Sequence, residues 1–302
     1  MIFSWVIIIV FSYLFFALAA FGDKLVLSGS PNQKSYAFYV GVLGICVVFL
    51  IPFAGLGLPA LPVLAWIFLD ALAYILAIYT MFSALETFDV SRVVPAIGAV
   101  QPIFTFIITW LLFGPQVFQP IHMLAFAILL VGGFVISMGK TFSIHGRYLK
   151  LTLFSSLMFS CDYVFSKMVF LHMPFLQGLI WIRIFCFGLA LLLLFDKKLR
   201  QEVFSRHHMV KPKTQLFILS AQASGAVAGI LQSLAIAIVP VSYLAIMNAL
   251  RGVQYVFLFL ITLGFSWLFP RLLKEEFSQR AIIQKVCSIV LIFIGLAMLF
   301  LN

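Results

Sequence analysis

The sequence predicts an all-α polytopic membrane protein with about ten transmembrane helices in two inverted five-helix repeats. Composition is the first observation behind this prediction: of the 302 residues, 64% are hydrophobic and only 9% are charged. Soluble domains contain roughly 45–50% apolar and 25% charged residues, so a soluble protein and a disordered chain are both excluded. The net charge of +10 does not indicate nucleic-acid binding, because the 19 Lys and Arg residues are scattered between apolar runs.

The length of the apolar segments is the second observation. A helix needs roughly 20 mostly apolar residues to span a membrane, and the segments here are continuous rather than alternating, which favours helices over barrel strands. No positive charge precedes the first segment, so we expect a retained helix and not a cleaved signal peptide. Charged residues, Pro and Gly divide the chain into predicted helices 1 to 10: 2–21, 36–54, 62–86, 92–113, 121–139, 148–170, 175–195, 214–238, 241–268 and 281–301.

A weak internal repeat is the third observation. Shifts of 143 and then 151 residues align parts of the first half of the sequence with the second half, with six identities in the longest stretch. The aligned stretches are 11–26 with 154–169, 90–91 with 241–242 and, after a small slip, 100–101 with 253–254. The sequence therefore predicts two repeats, 1–140 and 141–302. Five is an odd number of crossings, so the second repeat enters the membrane inverted relative to the first.

Predicted helix 4 carries the features of a known family. It reads VVPAIGAVQPIF at 93–104 and ends LLFG at 111–114, and with two five-helix halves it resembles the EamA-type transporters of the drug/metabolite transporter superfamily. Family members commonly have a Pro-hydrophobic-Phe step in this helix and a Phe-Leu-Gly-Glu ending. Here Gln116 stands near the place of that Glu, while the second half retains Glu275 and Glu276. The resemblance implies ten helices around a cavity between helices 1, 3, 4, 6, 8 and 9, and does not identify the substrate.

Four ionisable side chains fall deep inside predicted helices: Asp70, Asp162, Arg183 and Arg251. A charge at membrane depth costs about 2.5 kcal/mol or more on insertion scales, so each needs a partner or a function. Two interpretations remain open: the charges form two structural ion pairs, or at least one faces a substrate or a coupling proton. Asp162 and Asp70 are the candidate proton carriers, because a buried carboxyl group can also exist as the neutral acid.

Polar residues form stripes on one face of several predicted helices. Helix 9 carries Asn248, Arg251 and Gln254 at steps of three, and helix 4 carries Gly98, Gln101, Thr105 and Thr109 at steps of three to four. The Gly225 and Gly229 pair in helix 8 also fits close helix packing. The predicted substrate-binding residues are Asp70, Tyr74, Gln101, Asp162, Arg183, Gln222, Gln232, Asn248, Arg251 and Gln254.

These patterns favour a secondary active transporter that moves small organic metabolites or drugs by alternating access, coupled to protons or working by exchange. Two arginines near the midplane favour a substrate with a carboxylate or another anionic group. We expect no enzymatic activity, cofactor, metal site or nucleic-acid partner, since no catalytic or phosphate-binding motif is present and His207 and His208 lack companion ligands. Two alternatives are a non-transporting scaffold subunit and a membrane-embedded lipid-processing enzyme.

The basic residues predict the orientation in a bacterial-type inner membrane. Sixteen of the 19 lie in or at the edges of the loops after odd-numbered helices, and basic loops stay in the cytoplasm. Both termini are therefore predicted to lie outside, whereas the family resemblance implies that they lie inside. Lys24 and Lys167 stand near helix ends, where we expect their ammonium groups to reach the membrane interface. The four cysteines lie in apolar segments and are predicted to be reduced.

Overall fold

The computed structural model describes residues 2–27, 33–88, 90–115, 120–137, 146–195, 197, 200–201, 212–268 and 279–300. Over these ranges the chain is helical and has no β-strand, which confirms the all-α prediction. The helices, labelled as in the prediction, are α1 (Ile2–Leu27), α2 (Gln33–Leu43), α3 (Leu61–Leu85), α4 (Val90–Phe113), α5 (Pro120–Ser137), α6 (Gly146–His172), α7 (Phe175–Leu192), α8 (Pro212–Ile238), α9a (Leu244–Ala249), α9b (Gly252–Leu268) and α10 (Gln279–Phe300).

Seven helical segments are long and apolar enough to cross a membrane, counted over the described residues. This finding fits an integral multi-pass membrane protein. Three shorter apolar segments, Phe38–Ala54, His122–Ile136 and Ile283–Met298, coincide with predicted helices 2, 5 and 10. The seven long segments are Ser4–Gly22, Leu61–Leu85, Arg92–Phe113, Gly146–His172, Phe175–Phe195, Ser220–Ile238 and Val241–Ser266.

Two glycines end helical segments at positive φ. Gly55 (φ 67°) follows α2, which continues as a 3₁₀ helix and a last α-helical turn, Ile51–Ala54. Gly114 (φ 82°) follows α4, and its amide donates to the carbonyl of Trp110 at 2.9 Å. Glycine is preferred here because it has no Cβ to clash at positive φ. Gly114 closes the LLFG sequence, so this ending has a defined conformational role.

Predicted helix 9 is not continuous. Leu250 and Arg251 form a turn between α9a and α9b. Here the amide of Arg251 donates to the carbonyl of Asn248 at 3.0 Å, and the amide of Gln254 donates to the carbonyl of Arg251 at 2.9 Å. These are three-residue steps of the 3₁₀ type, and a 3₁₀ stretch inside a helix often marks a functional hinge. The break therefore coincides with a charged residue near the middle of the segment.

The helices pack in pairs around an interior that contains the polar residues. The most extensive contacts join α1 to α8, α3 to α6 and α5 to α10. One apolar core lies around α1, α8 and α9 and includes Ile9 and Ile246, and a second lies around α3 and α7 and includes Ile67 and Ile182. Glycine allows a close approach of α9b to α5, because a Cβ on Gly252 would lie 3.1 Å from the Cα of Gly133.

Lys167 is buried against the end of α8 and is not an exposed side chain at its own helix end. Its side chain is only 3% exposed, and its ammonium donates to the carbonyls of Ala237 at 2.9 Å and Val239 at 2.6 Å. The last carbonyls of a helix lack intrahelical donors, and a cation near that end also interacts favourably with the helix dipole. Lys167 therefore caps the end of α8. The side chain of Lys24 lies outside the described part of the structure.

Candidate substrate-binding site

Gln101 on α4 and Arg251 at the break of α9 form the first part of the polar interior. The guanidinium of Arg251 donates to the side-chain carbonyl of Gln101. The Gln101 side chain is 1% exposed, and its amide group also donates to the carbonyl of Phe159 on α6 at 3.4 Å. Gln101 therefore links α4, α6 and α9. A buried amide that contacts three helices fixes the position of the arginine it binds.

A second chain of hydrogen bonds supports the same position. The amide nitrogen of Asn248 donates to the hydroxyl of Thr105 at 2.9 Å, and that hydroxyl donates to the carbonyl of Gln101 at 3.0 Å. The same carbonyl accepts a bond from Ser160 at 2.8 Å. The other end of the Asn248 amide, Oδ1, is buried and has no partner within the described ranges. Asn248 thus offers a free acceptor beside Arg251.

Gly98 makes room for this arrangement. Tyr255 on α9b donates its hydroxyl to the carbonyl of Val94 at 3.1 Å, across the face of Gly98. A Cβ on Gly98 would overlap the Tyr255 hydroxyl and would lie 3.2 Å from Cδ of Arg251. Only glycine lets α4 approach α9 this closely without moving the tyrosine or the arginine.

Arg183, Tyr74 and Asp70 form the second part of the interior. The guanidinium carbon of Arg183 lies 5.0 Å from the centre of the Tyr74 ring, a cation–π contact. A Cβ on Gly229 would lie 3.9 Å from an Arg183 guanidinium nitrogen, so the side chain extends from α7 past α3 towards α8. Asp70 is fully buried, and one of its oxygens accepts a bond from Ser166 at 2.8 Å. Its other oxygen has no partner among the described residues.

Asp162 connects the two parts. It interacts electrostatically with Arg183 and with Arg251, and Asp70 interacts in the same way with Asp162 and Arg183. Both interpretations of these four charges stay open: structural ion pairs, or contact with a substrate or a coupling proton. Asp162 and Arg183 are both half-buried.

Tyr13 and Tyr163 also belong to this site, and sequence analysis did not identify them. The hydroxyl of Tyr13 on α1 donates to the carbonyl of Met247 at 2.9 Å. The hydroxyl of Tyr163 is buried without a close partner in the described structure, and it lies near Gln232 of α8. Both tyrosines lie within electrostatic reach of Arg251. A tyrosine in an apolar run usually indicates core or interface packing, and nothing in the sequence separates these two from the other tyrosines.

Eight of the ten predicted site residues therefore lie in or beside one polar interior: Asp70, Tyr74, Gln101, Asp162, Arg183, Gln232, Asn248 and Arg251. Gln254 is buried on α9b, where its backbone stabilises the break. Gln222 is half-buried on α8, about 15 Å along the helix from Gln232 at 1.5 Å per residue. The helical period predicted that Gln222 and Gln232 share a face of α8, and for Gln222 this stays a prediction.

The interior holds both donors and acceptors without partners. Nε of Arg251 and the Tyr163 hydroxyl are unpartnered donors, and Oδ1 of Asn248 and one oxygen of Asp70 are unpartnered acceptors, each within the described structure. Buried polar atoms are almost always hydrogen-bonded, so these unpartnered atoms are candidates for contact with a ligand or water. The described residues include no cluster of three His, Cys, Asp or Glu side chains suited to a metal ion.

The fold is shared with a solved structure. A crystal structure described only as that of a protein superposes with a TM-score of 0.70, covering 98% of this chain and 97% of the other at 15% sequence identity. The likeness shows a common fold over nearly the full length of both chains. No protein-family model matches the sequence, and no curated protein matches it.

Proposed function

We propose that this chain is a secondary active transporter of the EamA type, which moves small organic metabolites or drugs across the cell membrane by alternating access. The observation that carries the proposal is Arg251, an arginine at a helix break with an unpartnered, buried Nε in a polar interior. Discontinuous helices form the substrate sites of many secondary transporters, and the N-terminus of the second half-helix favours an anionic group. The guanidinium and the start of α9b together suit a substrate carboxylate.

Repeated contacts support ten spans in two inverted halves. Ser12 on α1 donates to the carbonyl of Ala228 on α8 at 2.8 Å, and Ser155 on α6 donates to the carbonyl of Ala77 on α3 at 2.9 Å. The serines differ by 143 positions and the alanines by 151, the same two shifts that align the sequence with itself. One contact is thus made twice, once by each half, and the three shorter apolar segments then complete two sets of five.

The charges suggest how transport is driven. No ATP-binding motif is present in the sequence, so the coupling is to a gradient or to exchange. Asp162 is the first candidate for a coupling proton, since it interacts electrostatically with both Arg183 and Arg251, and Asp70 is the second. A scaffold subunit is the alternative function, and it would leave these four residues with a purely structural role. The proposed location is a bacterial-type inner membrane with both termini outside.

Counterflow in proteoliposomes with a panel of metabolites tests the transport function. Arg251→Ala should abolish counterflow while the protein still inserts and purifies, and Arg251→Lys should also fail, because an ammonium cannot form the two parallel bonds of a guanidinium. Arg147→Ala is the matched control, since Arg147 is exposed at the start of α6. Wild-type uptake by Arg251→Ala would refute the role of Arg251, and absence of counterflow for every compound with the wild-type protein would favour the scaffold.

A further inference from the structure

One aromatic contact joins the two halves of the chain near the start of α1. The rings of Trp5 and Tyr243 have centroids 5.8 Å apart, and the ring of His122 on α5 lies 4.3 Å from that of Tyr243. Trp5 is 1% exposed and His122 is 6% exposed. We call this group the Trp5 contact. It connects α1 of the first half with the turn that leads into α9a of the second half.

A second contact joins the halves near the start of α6. The hydroxyl of Tyr148 donates to the carbonyl of Arg92 at 3.1 Å, and the rings of Tyr148 and Phe88 meet edge to face with centroids 5.1 Å apart. We call this group the Tyr148 contact. It connects α6 of the second half with the start of α4 in the first half.

The two contacts correspond in sequence and lie at opposite ends of α4. Trp5 and Tyr148 differ by 143 positions, and Arg92 and Tyr243 differ by 151, again the two shifts of the internal repeat. Arg92 lies in the first turn of α4. The contacts Tyr255–Val94 and Asn248–Thr105 show that α9 runs antiparallel to α4, so Tyr243 lies towards the other end of α4, at Phe113. The 21 residues between Arg92 and Phe113 span about 32 Å at 1.5 Å per residue, which is the thickness of a bilayer core.

We propose that the Trp5 contact and the Tyr148 contact are the two gates of the transport path, one at each end. The proposal rests on the transporter function argued above. Each contact bridges the two halves at one end only, so rocking one half against the other opens one contact while the other stays closed. The polar interior with Arg251 and Asp162 involves helices from both halves, and it would be reached from whichever end is open.

The contacts differ in one respect that predicts which opens more easily. In the Trp5 contact, Nε1 of Trp5 and Nδ1 of His122 are buried without a partner in the described part of the chain. In the Tyr148 contact, the polar group is satisfied, because the tyrosine hydroxyl has a backbone acceptor. Opening the Trp5 contact lets water reach two unpartnered nitrogens, whereas opening the Tyr148 contact breaks a hydrogen bond. The resting protein should therefore open at the Trp5 end more often.

Cysteine pairs in a cysteine-free background test the gates. The pairs are Trp5→Cys with Tyr243→Cys and Tyr148→Cys with Arg92→Cys, each closed by a short thiol cross-linker that a reductant cleaves. Phe170→Cys with Phe175→Cys is the matched control, because these rings lie 5.4 Å apart within the second half alone. Either gate cross-link should lower counterflow about tenfold or more, as expected when a gating motion is blocked. The control cross-link should leave it unchanged.

Reduction of the same sample should restore counterflow, which separates blocked motion from misfolding. Equilibrium binding of the transported compound in detergent should survive either gate cross-link alone and be lost when both are closed. If the cysteine pairs do not transport even after reduction, the single variants Trp5→Phe and Tyr148→Phe are used in their place. Tyr148→Phe should then increase the labelling of interior cysteines by reagents that enter from the Tyr148 end. Full counterflow through a completely cross-linked gate would overturn the gates while leaving the transporter function intact. Absence of counterflow by the unmodified protein would overturn both.

Discussion

Replacing Gly98 with alanine is the sharpest test of the geometry around Arg251. The added Cβ would overlap the Tyr255 hydroxyl and would lie 3.1 Å from Cζ of that ring and 3.2 Å from Cδ of Arg251. Either the tyrosine moves and loses its bond to the Val94 carbonyl, or α4 and α9 separate. Overpacking of this kind typically costs about 1–3 kcal/mol, and loss of the hydrogen bond adds roughly 1 kcal/mol.

Two measurements should register this cost. The melting temperature of the purified protein should fall by several degrees, and the affinity for the compound identified by counterflow should fall roughly tenfold to a hundredfold, because about 1.4 kcal/mol corresponds to each factor of ten. Affinity should fall because Arg251 shares the space that the new methyl group enters. The rate of uptake at saturating substrate should fall less than the affinity, because the Gly98→Ala variant moves the Arg251 side chain but does not remove it.

A control and a rescue variant decide whether the overlap is the cause. Gly188→Ala places the same methyl group on α7, where nothing lies within 4 Å, so neither stability nor affinity should fall. Tyr255→Phe combined with Gly98→Ala removes the overlapping oxygen and should recover most of the lost affinity. Unchanged stability and affinity in Gly98→Ala alone would refute the close approach of α4 and α9. A loss that Tyr255→Phe does not relieve would place its cause elsewhere.

Three further predictions concern charge. Lys167→Met should lower the melting temperature, because a charged hydrogen bond to the end of α8 is worth about 1.5–3 kcal/mol. Lys150→Met, at an exposed position of α6, is the control and should not lower it. Equal melting temperatures for the two variants would contradict the capping role of Lys167. Asp162→Asn should lose gradient-driven accumulation and retain exchange, and unchanged accumulation with unchanged folded yield would reject both a coupling and a structural role. In intact cells that express a cysteine-free form of the protein, Leu58→Cys should react with an impermeant thiol reagent and Gln201→Cys should not. Only Gln201 lies on the side of the basic loops, which is predicted to be cytoplasmic. The reverse labelling pattern would invert the topology.

The positions of the helices follow from the sequence because apolar length is a strong signal. Predicted helices at 62–86 and 92–113 correspond to Leu61–Leu85 and Val90–Phe113. Lipid leaves no alternative for the backbone, since every amide and carbonyl in a span must be bonded within the protein. A continuous apolar run bounded by charge or glycine therefore forms a helix wherever it occurs. Neighbouring side chains change its ends by only a few residues.

The break in α9 could not be predicted in the same way. Arg251 and Gly252 lie in the apolar run 241–268, which contains no proline, and such a run predicts an unbroken helix. The turn depends on partners far away in sequence, namely Gln101 for the arginine and Gly133 for the close approach of the glycine. The same holds for Lys167, whose acceptors lie about 70 residues away on another helix. The local sequence pattern shows that a charged residue in an apolar run is unusual, but contacts with distant parts of the chain determine its structural role.

The balance of charge in the interior explains why Asp162 is the residue on which coupling would depend. Two acids and two arginines lie in the polar interior, and Asp162 interacts electrostatically with both arginines. A carboxylate bound at Arg251 would add one negative charge, and a net charge in a medium of low polarity is costly. Taking up one proton would restore neutrality, and Asp162 is the acid that interacts electrostatically with Arg251, the proposed substrate-binding arginine. With Asn at 162 the interior loses that site for a proton, so an anion can still exchange for another anion while a proton gradient can no longer drive its accumulation.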